Sequence, residues 1–281
     1  MTHLDGQVAI VTGAGRGTGA VVAAALAAQG ARVLAVDEQG VASVVEEIVR
    51  LGGTAEASAV DVGDFTEAAG VVQHAVDSYG QLDIVVNAAG SVGGVDAGPD
   101  EVGVAIWDAA EGDWDAVIRT TLRSTFTLSR HASAHWRANR GRPARLINVT
   151  SPSALFGTSP SPYYSAARLA IVGFTLSCAN ALSRYGVTSN VLAPLVADGA
   201  TEPGDVGPAA VYMASGDADW LNGKVIGAGD HRIVLFEGPV IEYEALVIDG
   251  WGREVVFGEM EHAVHSAVER TFPFSELEAV K

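Results

Sequence analysis

The amino-acid sequence predicts an α/β protein built on a doubly wound parallel sheet, and three observations carry that expectation. An apolar run too short for a helix, VAIV at 8–11, breaks into a glycine-rich turn before an alanine-rich helical pattern begins at Ala20. A second strand pattern, ARVLAV, then closes on an acid, Asp37, the residue type expected at the tip of the second strand in such a sheet. Strand and helix patterns go on alternating without a linker to about residue 229.

The first turn has a definite chemistry. Gly13, Gly15, Gly17 and Gly19 stand at the junction of strand and helix, with Arg16 and Thr18 between them. Glycines there let the backbone turn tightly and come close to a pyrophosphate, while the helix N-terminus behind them presents free N–H groups and a partial positive charge. The expected ligand is a dinucleotide held on a Rossmann-like fold. The Asp37 carboxylate would accept hydrogen bonds from an adenine-ribose diol and repel a 2′-phosphate, and Glu38 adds a second negative charge, so NAD is expected over NADP.

Composition narrows the class. The chain has 281 residues, 48% of them hydrophobic, enough for one large core; we expect a single domain over 1–229 and a C-terminal extension over 230–281. No apolar run approaches the roughly 18 residues of a membrane span. The start, MTHLDGQ, has no signal-like segment, and the single Cys178 cannot form an internal disulfide, so a cytoplasmic protein is expected. A formal charge of −17 spread along the chain opposes binding to nucleic-acid backbones and anionic membranes and favours small-molecule chemistry.

Along the chain, helical spacing over 41–51 ends in two glycines, and AEASAVDV at 55–62 reads as a strand ending near Asp61 and Val62. Asp61 could reach an adenine amino group, although an acid before a helix is commonly an N-cap. A helix is expected over 65–79. LDIVVNAAG at 82–90 reads as a buried strand that breaks into a small-residue turn, placing Asn87, Ala88, Ala89 and Gly90 along the cofactor cleft. The glycine-rich, acidic stretch 91–113 reads as an insertion near that cleft. A helix is expected over 114–138, with His131 and His135 one turn apart; no carboxylate or cysteine pattern completes a metal site, so they are assigned to helix packing. RLINVT at 145–150 delivers Ser151 to the end of the next strand, and from Tyr163 a helical pattern sets Tyr164 and Arg168 on one face.

In this order and spacing, the motifs identify the chain as resembling a classical-type short-chain dehydrogenase/reductase over 4–229. Thr12 to Gly19 matches TGxxxGxG completely, and Asn87-Ala88-Ala89-Gly90 matches NNAG with Ala88 where the family has a second Asn. Ser151, Tyr164 and Arg168 fall at the intervals of the family's Ser, Tyr and Lys. The resemblance implies that Tyr164 is the acid/base, that Ser151 orients the substrate oxygen, and that residue 168 bonds the nicotinamide ribose and lowers the tyrosine pKa. It also implies a homodimer or homotetramer paired through the long helices around Thr121 and Ala170. Three departures stand out. Arg168 replaces the lysine; it supplies the charge but is bulkier and stays protonated. Thr121 holds the place of the proton-relay Asn, and the usual Pro-Gly reads Pro194-Leu195, followed by a loop over 195–207 that would cover the nicotinamide.

Beyond residue 230 we expect a possible strand, RIVLFEG, and an acidic helix over 258–270. Its Glu259, Glu261, His262 and His265 read as a solvated face and not a metal site, with an apolar stripe through Ala263, Val264, Ala267 and Val268. The function expected is NAD-dependent interconversion of an alcohol and a ketone on a small molecule. The alternatives are a non-redox isomerase, lyase or cyclase on the same scaffold, or a dinucleotide-binding pseudoenzyme.

Overall fold

The computed structural model describes residues 2–90, 106–157, 161–195, 206–229 and 231–236. Residues 91–105 of the insertion expected over 91–113, most of the 195–207 loop and the tail beyond Phe236, with its expected acidic helix, lie outside the described residues. The first compact unit runs Met1–Phe236.

Its centre is β1 (Val8–Thr12), whose five residues are all buried. Burial on both faces explains why the strand reads as a continuous apolar run with no alternation. Around it lies one eight-stranded sheet. β2 (Arg32–Val36) and β3 (Thr54–Ser58) flank β1 on one side; β4 (Ile84–Asn87), β5 (Ala144–Val149), β6 (Val187–Pro194), β7 (Val225–Gly229) and β8 (Arg232–Phe236) follow on the other. All neighbours are parallel except β7 and β8. The order 3-2-1-4-5-6-7-8 reverses direction between β1 and β4, and register sets Thr12 beside Asn87 at their C-terminal ends. The crevice of a doubly wound sheet opens at such a point. The tail segment read as a possible strand is thus the antiparallel edge of the main sheet.

Helices cover both faces. α1 (Gly17–Ala28), α2 (Val41–Arg50) and α8 (Gly207–Ala214) bury Leu26, Ile48 and Met213 against one side. α3 (Phe65–Tyr79) and α5 (Ser124–Ala138) bury Val71, Leu128 and Trp136 against the other. Each such side chain contributes about 1.5–3 kcal/mol by leaving water. α7 (Pro162–Leu182), capped by the Ser161 hydroxyl, packs on β6 and buries Ile171, Val172 and Thr175. With the turn that follows, it is by length and composition long and apolar enough to cross a membrane, unlike the sequence expectation that no run comes near that length. Within this unit it is a helix laid against the sheet.

Two local features differ from the sequence reading. The helix expected over 114–138 starts earlier and is interrupted: α4 (Glu111–Val117) passes through a wide π-helical turn, Ile118–Arg123, before α5. Hydroxyl groups cluster at that turn. Thr120 donates to Ala116 O at 2.9 Å, Ser124 to Thr120 O at 2.6 Å, and Thr125 to Thr121 O at 2.9 Å, so side chains compete with the helical N–H groups for the same carbonyls. The acid that caps α3 is Asp64, accepting from Thr66 and Glu67 N–H, and not Asp61. His131 packs its ring edge-on against Phe65 with centroids 4.4 Å apart, and burial lowers its pKa, in keeping with a packing role.

At the opposite end of the sheet from the crevice, the buried Asp83 carboxylate ties β1 to its neighbours. It accepts from Val8 N–H at 2.8 Å and from the Gln81 amide at 2.6 Å, and it pairs with Arg142 at 3.1 Å. Asp83→Ala would leave the Val8 N–H without its acceptor. We expect a loss of about 2–3 kcal/mol in urea unfolding, against less than about 0.5 kcal/mol for an exposed control such as Asp77→Ala.

Candidate active site

The turn after β1 is built by close approach. A Cβ on Gly19 would overlap Gly13 O, so only glycine lets the start of α1 fold back against the turn. Beyond the turn, the Thr12 hydroxyl accepts from both Ala88 and Ala89 N–H, at 3.1 and 3.2 Å, and so links the ends of β1 and β4. Asp37 does more than the sequence suggested. Its Oδ2 accepts from Gly15 N–H at 3.0 Å and its Oδ1 from Gln39 N–H at 3.3 Å, which fixes a carboxylate against the glycine turn. Arg16 and Gly17 stand exposed at the head of α1, with Thr18 partly buried beside them.

Asn87 was expected to face the cleft, but its side chain points into the protein. It is buried and donates to Ser129 Oγ at 2.9 Å and to Asn148 Oδ1 at 2.8 Å, and Asn148 passes the chain on to Thr175 Oγ1 at 2.8 Å. This network binds β4, β5, α5 and α7 behind the site. Ser129, Asn148 and Thr175 carry no motif, and nothing in the sequence ties them together before the fold does. Of the small-residue turn, Gly90 is the member that meets the chemistry. It has φ +147°, and a Cβ there would fall 2.6 Å from Arg168 Nη2 and 2.9 Å from Thr121 Oγ1. Gly90, Thr121 and Arg168, distant in sequence, therefore converge.

Arg168 is 6% exposed. Its Nη1 donates to Val149 O at 3.1 Å, its Nε has no partner, and its guanidinium carbon lies 5.3 Å from the centroid of the Tyr164 ring. Among the described residues no carboxylate pairs with it. The Thr150 hydroxyl donates to Arg168 O at 2.7 Å, locking α7 to the end of β5. Thr121, in the wide turn, is fully buried with an unpartnered hydroxyl. Ser151 follows β5 at the head of α6 (Pro152–Leu155) and shares a 2.8 Å hydrogen bond with Ser153, a partner the sequence did not flag. Pro194 ends β6, and Leu195 N–H donates to Ala228 O at 2.7 Å, holding the departing chain on β7.

Asp61 and Val62, read as the end of the third strand, lie in the turn just beyond β3. Val62 is buried, and its carbonyl accepts from the Thr127 hydroxyl. Asp61 Oδ1 accepts from Gly63 N–H at 2.7 Å, and its Oδ2 is paired with Arg119 at 2.5 Å. At the start of α7, a groove of about 440 Å³ is lined by Ile106, Ala109, Ala110, Glu111, Trp114, Pro162, Tyr163 and Ala166.

A nicotinamide dinucleotide fits these residues. The glycine turn is a cradle that side chains would fill, the α1 N-terminus would offer its N–H groups to a pyrophosphate, and Arg168 Nε and Thr121 Oγ1 are buried polar atoms without a partner in the protein.

Comparison with known proteins agrees with this arrangement. A family model described as short chain dehydrogenase matches residues 7–203. The chain is 37% identical over 272 residues to hydroxyacyl-CoA dehydrogenase ChsB1 of Mycobacterium tuberculosis, covering 86% of this chain and 83% of that protein. It is 34% identical over 197 residues to a 3-oxoacyl-[acyl-carrier-protein] reductase of Synechocystis, covering 69% and 75%. A crystal structure of a short chain dehydrogenase from Mycobacterium avium superposes with a TM-score of 0.85 at 35% identity, covering 96% of this chain and 97% of the other.

Proposed function

The chain belongs to the short-chain dehydrogenase/reductase family and is an oxidoreductase of that kind, and from that premise we propose that it oxidises a secondary alcohol to a ketone, or the reverse, with NAD and with Tyr164 as acid/base. The observation that carries this reading is the buried Arg168 guanidinium beside Tyr164. A cation held away from water without a carboxylate is costly, and it becomes favourable where negative charge develops next to it. In the oxidative direction Tyr164 takes the hydroxyl proton of the substrate, Ser151 holds the same oxygen by a hydrogen bond, and Arg168 stabilises the tyrosinate and donates to ribose oxygens. The bound nicotinamide supplies the hydride acceptor.

The relatives named above are a hydroxyacyl-CoA dehydrogenase and a 3-oxoacyl-[acyl-carrier-protein] reductase by name, and the largely apolar groove at the start of α7, next to Tyr163, suits a carbon chain. We therefore assign hydroxyacyl or oxoacyl thioesters as the substrate class. Association into a homodimer or homotetramer is supported by exposed apolar side chains on the outer faces of α4, α5 and α7, namely Trp114, Phe126 and Leu169.

Tyr164→Phe is expected to lower turnover by at least about a hundredfold, and Arg168→Lys to keep or raise it, followed as NADH absorbance with 3-hydroxyacyl thioesters. Thioester conversion with no change in NADH, and no need for cofactor, would reject the redox reading. Calorimetric titration should show NAD binding about tenfold or more tighter than NADP, with the gap narrowed in Asp37→Ser; equal affinities would overturn the preference. Light scattering at micromolar protein should give at least a dimer mass. A monomer there would leave the apolar helix faces without the proposed partner.

A further inference from the structure

The wide turn between α4 and α5 brings a cation to a place where the sequence shows only acids. Arg119 lies 58 residues from Asp61, yet its Nε and Nη2 both donate to Asp61 Oδ2, at 3.1 and 2.5 Å. The hydrogen bond to Asp61 and the Asp61 charge raise the Arg119 pKa, and the charges of Asp64 and Glu38 act on it in the same direction. Arg119 is thus paired with the turn after β3, which carries Asp61 and Asp64, and the charge of Glu38, in the turn after the neighbouring strand β2, acts on it as well. Of the pair, the arginine is the more open member, with 49% of its side chain exposed against 28% for Asp61. The Asp61 oxygens are already engaged by Gly63 N–H and by Arg119, so an incoming adenosine meets a carboxylate largely in use and a guanidinium with N–H groups to spare.

We propose that Arg119 is a specificity-determining residue, the cation that sets how strongly a 2′-phosphate on the adenine ribose is rejected. The proposal rests on the dinucleotide reading above. Without Arg119, the acids of these turns would act on a phosphate with one counter-charge fewer, beside those of Arg16 and Arg123. With it, part of their field is cancelled and a donor set suited to phosphate is at hand, so NADP is disfavoured without being shut out. Neighbouring contacts hold the turn that presents it: Arg123 Nε donates to Gly63 O at 2.9 Å, and the Thr127 hydroxyl donates to Val62 O.

The test uses two variants that break the same ion pair from opposite sides, with dissociation constants for NAD and NADP measured by calorimetry at low ionic strength. Arg119→Gln should weaken NADP binding by about threefold or more and change NAD binding by less than about twofold. Asp61→Asn leaves the guanidinium without its counter-charge and should tighten NADP binding by a similar factor. Arg119→Lys, which keeps the charge, should retain the wild-type ratio of the two constants and serves if the glutamine variant does not fold. If both pair-breaking variants shift the NADP/NAD ratio in the same direction, or leave it unchanged, the pair is a structural brace only and the proposal falls. Failure of the wild-type protein to bind either dinucleotide would instead strike the cofactor reading itself.

Discussion

Two backbone amides at the sheet's switch point decide whether this molecule has a site at all. Where β4 leaves β1, the N–H groups of Ala88 and Ala89 pass beyond the strand pairing, and both donate to the Thr12 hydroxyl. A fully buried N–H without a partner costs about 1–3 kcal/mol and a partly buried one a share of that, so one threonine hydroxyl lets two chain segments part at little penalty. The parting makes the crevice. It also aims the small-residue turn at α7, which is why Gly90 ends against Arg168 and Thr121, where only a residue without a Cβ can lie.

Arg168 is the tension that this arrangement contains. Its Nη1 bond to Val149 O meets one of five donors, and its Nε is buried without a partner, so the resting site holds a desolvated cation that is only partly satisfied. A core built for stability alone would not retain such a group. Its neighbours are fixed by strong local ties: the Asn87-Asn148-Thr175 chain behind it and the Thr150 bond to its own carbonyl. Thus the charge cannot swing out to water cheaply, and its guanidinium is held in a fixed position beside Tyr164 and Gly90.

Much of the fold was legible because period and punctuation agree. β1, α1, β2 and α3 have apolar runs or helical spacing bounded by glycine or a capping acid, and the structure places each within a few residues of its sequence bounds. The departures have physical causes. The break in the helix after Val117 comes from hydroxyls that bond back to carbonyls, a competition that leaves the apolar spacing intact and so leaves no trace in the pattern. The first-turn motif, Tyr164 and Arg168 were visible as spacings. The inward turn of Asn87, the Asp37 brace on Gly15 and the Asp61–Arg119 pair depend on contacts between segments 22 to 61 residues apart, which local sequence does not encode.

The wide turn at Ile118–Arg123 joins these strands of reasoning, because one segment serves both ends of the crevice. Thr121 faces Gly90 and Arg168, while Arg119 and Arg123 reach the turn after β3. In a regular α-helix, residues two apart point about 200° from one another, so a single turn can present Thr121 inward and residues on either side of it outward. A π-helical turn adds a residue to the loop of the helix and keeps that division while bringing more side chains to one level of the axis. The hydroxyl-rich sequence that causes the wide turn is therefore also what sets a buried threonine against Gly90 and Arg168 and an arginine against the turn after β3. A change that restored regular helix there would displace both at once, even though neither residue had been altered.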